Sequence, residues 1–271
     1  MLHEMKGLNM AKIVNCTELL KNKLYKIYKK TLAFTLAETL IVMGVIGVVA
    51  ALTLPNLNQS TGNKEKVAKV KKIYSNLNDA VGRAQSVYGP INEWFANDNT
   101  NAKKSKRAGE RITEFMKVSK TCGSDTTAGC VTTGSTKNIS GQVQIGTMEL
   151  AKNTNYSYIT ADGSSLVFVS QANSDEGIVI YVDIDGPNKG KFTNGVDVFG
   201  FSVYLSTDSE EDDGTLRPGN TVYTESVLNC INNGLCTPWV INHDNMDYLK
   251  VTSAGKCPDN QMLNDSHPTC K

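Results

Sequence analysis

The chain of 271 residues has almost no net charge: 28 Lys and Arg stand against 27 Asp and Glu, a formal +1. A dedicated nucleic-acid binder needs surplus cations to displace counterions from phosphates, and that surplus is missing. Histidine is scarce, with three in the chain. His3 belongs to a basic N-terminal stretch, and His243 and His267 lie in polar, turn-rich surroundings with no recognisable nucleophile nearby. Gly-x-Ser-x-Gly, His-Glu-x-x-His, a phosphate loop and a dinucleotide fingerprint are all absent, so no signature of an enzyme is present. Paired Cys-x-x-Cys spacing with nearby histidines is also missing, which sets a zinc site aside. A hydrophobic fraction of 40% is too high for a disordered chain and too low for several membrane spans.

What the chain does have is a strong asymmetry at its start. Residues 1–33 hold seven lysines against Glu4 and Glu18, a net +5, which leaves −4 for the remainder. The lysines run into an uncharged stretch from Ile41 to Leu54. By the positive-inside tendency the lysines stay cytoplasmic and the polypeptide beyond the apolar segment is exported. From Phe34 to Leu57 a helix would reach roughly 36 Å, enough for a hydrocarbon core of ~30 Å. A secretory signal with a cut near Ala50-Ala51 has the same basic-then-apolar order. Against it stands Glu38, a carboxylate inside the apolar segment, where insertion costs ~2.5–3.5 kcal/mol at the bilayer centre.

At these residues the sequence resembles the type IV pilins and type II secretion pseudopilins. The match is Lys29-Lys30, a short spacer, a small residue, then Phe34-Thr35-Leu36-Ala37-Glu38-Thr39-Leu40-Ile41-Val42, with Pro55 further along. The resemblance implies that a prepilin peptidase cuts between Ala33 and Phe34 and that the new N-terminus is methylated. Ala33 stands where the family most often has Gly. The resemblance also makes Glu38 an assembly residue. Physically, the cut frees an ammonium group near that carboxylate, and the two charges would pair between subunits and set their register.

The fold expected is α+β and pilin-like, with a long N-terminal helix packed on an antiparallel sheet and loops stapled by disulfides. Four regions are expected: a basic leader over 1–33, a transmembrane and assembly helix over 34–57, its amphipathic continuation over 58–90, and an exported globular domain over 91–271. Val67, Val70, Tyr74, Leu77, Val81, Ala84 and Tyr88 recur at helical steps, and Gly89-Pro90 ends the element. Pro55 removes a backbone donor and is the expected kink; two helices broken near Asn58–Asn63 are the alternative. Residues 96–107 read as a polar loop, and a short helix is expected over Gly109–Val118. Strand patterns cover Tyr156–Thr160, Ser165–Ser170, Ile178–Ile184 and Val198–Leu205, with Asp162-Gly163 and Asp185-Gly186 as turns. Trp239, Val240, Ile241 and Leu249 are core candidates.

Six cysteines, Cys122, Cys130, Cys230, Cys236, Cys257 and Cys270, lie beyond the apolar segment, while Cys16 lies in the leader. An even set beyond the segment suits an oxidising compartment. Of the 15 pairings that six cysteines allow, the local one, 122 with 130, 230 with 236 and 257 with 270, is expected. Asp183, Asp185, Asn188 and Asp197 cluster oxygen donors that a Ca²⁺ ion could use, although the spacing is not that of an EF-hand and a solvated turn is the preferred reading; no other cofactor is expected. The acidic run from Ser206 to Gly214 reads as a solvated loop.

The function expected is a structural filament subunit rather than an enzyme, a pilin or pseudopilin of minor type. Its partners would be other such subunits, prepilin peptidase, the inner-membrane assembly machinery and the lipid bilayer, and its final place a periplasmic or cell-surface filament of a bacterium. The alternative is a single-span anchored or secreted binding protein that does not polymerise, with an exported hydrolase third.

Overall fold

A computed structural model describes residues 35–96, 98–139, 150–170, 177–203, 214–219, 227–233, 236–252 and 254–271; within helices, the side chains of 53–60, 229, 232 and 233 are not described. Ala33, Phe34 and the leader therefore lie outside the described residues, as do most of the acidic run and the side chain of Pro55. The chain divides into two units, with the boundary between Gln59 and Ser60.

Helix α1, Leu36–Tyr88, runs through position 55 and through the 58–63 stretch without interruption. In the first unit its described large apolar side chains are exposed, from Leu36 at 79% through Val42 at 49% to Leu52 at 71%. Among the described residues no helix is long and apolar enough to cross a membrane. This corrects the expected architecture of a membrane half packed, with the rest of the helix, on a sheet. Glu38 stands in the first turn of this exposed apolar run.

The second unit is built around a six-stranded antiparallel meander whose spatial order is its chain order: β1 Val118–Gly123, β2 Tyr156–Thr160, β3 Ser165–Ser170, β4 Ile178–Asp183, β5 Val198–Val203 and β6 Leu216–Pro218. Strand alternation divides the side chains between two faces. Leu166, Phe168, Ile178, Ile180, Val182, Phe199 and Phe201 point to one face, where they share a core with Val67, Val70, Ile73, Leu77, Val81 and Ala84 of α1. Val167, Val179, Tyr181 and Val198 point to the other, under Cys130, Val131, Leu150 and Phe192 from the loops. The sheet is thus covered on both faces, which explains why β4 and β5 are buried at every position and read as continuous apolar runs.

The stretch expected as a loop at 96–107 instead begins helix α2, Asn101–Thr113. Thr100 caps it, its hydroxyl accepting from the Lys103 N–H at 3.3 Å. The buried positions are Ser105, Ala108, Gly109, Ile112 and Thr113; all but Ile112 are small residues that carry little apolar signal but let the helix approach the sheet closely. The helix stops at Thr113, and Val118 opens β1. Among the described residues, two short α-helices come after the sheet, α3 Val227–Asn233 and α4 Thr237–His243.

Candidate functional site

Helix α1 begins with a capping box. Thr35 precedes the first helical residue, and its hydroxyl accepts from the Glu38 N–H at 3.2 Å. The Glu38 carboxylate accepts in return from the Thr35 N–H and the Thr35 hydroxyl, each at 2.9 Å. Two orphan donors at the helix start are satisfied reciprocally. Thr-x-x-Glu is the sequence signal for such a box, and here it is masked by the surrounding apolar run, against which Glu38 stands out by its charge alone. The carboxylate is solvent-exposed, as are Leu36, Leu40, Ile41 and Met43 around it.

The oxygen cluster expected around Asp183 contains a cation from elsewhere in the chain. Lys66 of α1 places its Nζ against Asp197 Oδ1, 3.2 Å from the Val196 carbonyl and 3.7 Å from Asp185 Oδ2. Asp197 is fully buried, and its Oδ2 accepts from the Lys191 N–H at 2.6 Å. Lys69, one turn on, lies 3.7 Å from Asp185 Oδ1. Asp183 is 3% exposed; its oxygens accept from the Asp185 N–H at 3.2 Å and the Thr132 hydroxyl at 3.5 Å. Burial, reinforced by the charges of Asp197 and Asp185, pushes the Asp183 carboxyl up to about 7. Asn188 takes a positive φ of 60° and donates its N–H to Thr132. Among the described residues no group of three or more His, Cys, Asp or Glu side chains is arranged to hold a metal ion. Lys66, more than a hundred residues away in sequence, supplies the counter-charge that spacing alone could not reveal.

Three bridges staple the second unit: Cys122 to Cys130, Cys230 to Cys236 and Cys257 to Cys270. The last secures the C-terminal segment, where Cys270 N–H also donates to Asp247. Trp239 is buried, with its Nε1–H donating to Asn245 at 3.0 Å. The His243 ring lies 4.1 Å from that of Trp239, tilted by 48°, and contacts Asp265 at 2.9 Å, while His267 is exposed. A half-open groove of about 450 Å³ lies between α1, the Phe115–Lys117 segment and the β2–β3 turn. Its polar groups engage one another: Lys72 with Asp162 at 3.4 Å, Arg83 with Asp79 at 3.0 Å, and the Thr160 hydroxyl with Asp162 at 2.6 Å.

No family model, no curated protein and no solved structure matches this chain.

Proposed function

We propose that this chain is a structural subunit of a bacterial filament of the type IV pilus or type II secretion kind, cut by a prepilin peptidase between Ala33 and Phe34. The observation that carries the reading is the start of α1: an exposed apolar helix surface from Leu36 to Leu52 interrupted by one carboxylate, Glu38, in the first turn. An apolar surface of that extent is costly in water. In a filament the same helix of neighbouring subunits shelters it. The single carboxylate then decides which neighbour fits, because a subunit whose new N-terminal ammonium meets Glu38 offsets the burial of both charges. Two further features support an exported building block: cysteines bridged in pairs, as in an oxidising compartment, and the absence of any enzyme signature from the sequence.

Substitution at Glu38 tests this reading. Gln also closes a capping box, so Glu38→Gln keeps the start of the helix while removing the charge. The expected outcome for both Glu38→Gln and Glu38→Ala is a chain that accumulates in the cell envelope but is missing from sheared surface filaments. Wild-type filament yield from Glu38→Gln would show that the carboxylate charge has no part in assembly.

A further inference from the structure

Among the lysine–carboxylate contacts of the second unit, the one between Lys66 and Asp197 is set apart by its burial. The side chain of Asp197 is 1% exposed and that of Lys66 is 22% exposed. The Lys191 N–H fixes one carboxylate oxygen at 2.6 Å, and Nζ of Lys66 lies against the other. Gly190 closes over the group: a Cβ at that position would come within 3.0 Å of the Asp197 carboxyl. The carboxylate therefore has little freedom to turn away, and water has little access to it. The Nζ of Lys66 and the carboxyl of Asp197 are thereby held side by side, the proximity on which an intramolecular reaction depends.

From this geometry we propose that Lys66 and Asp197 join in an intramolecular amide, a covalent staple between helix α1 and the loop that precedes β5. The Nζ lone pair attacks Cγ of Asp197, a C–N bond forms, and the bond from Cγ to Oδ1 breaks. The two protons that the ammonium gives up leave with that oxygen as one molecule of water. No oxidant, reductant or cofactor enters the balance.

Condensing an amine with a carboxylate is unfavourable for free molecules in water. Well-oriented intramolecular reactions, however, reach effective molarities of about 10⁵–10⁸ M. Exclusion of water from Asp197 also slows the reverse hydrolysis. The same chain contains a built-in comparison. Lys71 and Asp244 make an equally direct contact, but their side chains are 43% and 66% exposed. That pair is open to water, competing hydration and rotation, and it stays ionic. Lys69 is 42% exposed and comes no nearer to a carboxylate than 3.4 Å, at the exposed Glu65, so it too stays free. The staple is independent of the filament reading, since it uses only groups inside the second unit.

Peptide mapping of the folded, purified wild-type chain tests the proposal directly, after reduction and alkylation of the cysteines. The expected result is a branched tryptic species that joins the Lys66 segment to the peptide containing Asp197. It should be lighter than the two parts by one water, with no cleavage after Lys66. Lys66→Arg keeps the cation and should give linear peptides only, as should Asp197→Ala; Lys71 should be cleaved normally in all three proteins. Linear peptides alone from the folded wild type, with full cleavage after Lys66, would overturn the proposal.

Discussion

Asp183 is held dry at the end of β4, and that burial makes the stability of the second unit depend on pH. In the fold its carboxyl keeps its proton up to about pH 7, whereas an unfolded chain releases it near ~4. Between those values the folded state binds more protons than the unfolded one, so stability falls as pH rises. The contribution is fully present below about pH 4, is lost progressively through about pH 7 and is flat above, on the order of 3–4 kcal/mol in all. Asp183→Asn keeps the shape and removes the proton. Urea denaturation at pH 4.5 and pH 8 should show the wild type losing stability across that interval and the variant losing markedly less. Equal slopes would mean that Asp183 is solvated. Glu38 belongs to the same scale, since one side chain closes a helix cap through its hydrogen bonds and is proposed to set subunit register through its charge.

Helix α2 shows how an element can hide in a sequence. Its buried face is Ser105, Ala108, Gly109, Ile112 and Thr113, so the usual apolar stripe is reduced to one large residue and the segment reads as polar. Gly109 is the reason the helix fits: a Cβ there would sit 2.9 Å from the Tyr158 ring. That ring is buried and packs edge-on against Phe168 at 5.7 Å, so it cannot swing aside. On an open helix surface Gly109→Ala would stabilise by up to about 1 kcal/mol through helix propensity. Here overpacking, at about 1–3 kcal/mol, should outweigh that gain, and the urea midpoint should fall. A rise in the midpoint would show that α2 and β2 are not in close contact.

The strands divide along the same lines. β2 to β5 are legible because apolar and β-branched residues dominate them, with Asp162-Gly163 and Asp185-Gly186 as turn signals beside them. Gly186 takes a φ of +83° and passes so close to the Gly163 carbonyl that a Cβ would lie 2.3 Å from its oxygen, which is why that turn requires glycine. β1 escapes a pattern search because its positions are exposed or half-exposed and its register is bulged. β6 escapes it because three residues, Leu216–Pro218, carry no period. No sequence pattern could place Lys66 beside Asp197 either; only packing of α1 against the sheet brings them together.

At the scale of the whole molecule, the second unit combines a core on both faces of one sheet with three disulfides that close short loops. Loops of this size stabilise by the lower part of the range for disulfides, about 2–3 kcal/mol each in the chain-entropy model. Reduction with dithiothreitol should therefore lower the denaturation midpoint substantially without abolishing the sheet, which circular dichroism would register. Complete loss of strand signal on reduction would show that the core alone cannot hold the fold.

The first unit contributes the apolar surface on which the filament account depends, and that account requires a free amine at Phe34. Mass spectrometry of the N-terminal peptide from envelope-associated protein is the most direct measurement. The account predicts a chain that starts at Phe34 with a methylated amino group and has lost its seven leader lysines. A mature chain that retains an intact Lys30-to-Phe34 junction would contradict it.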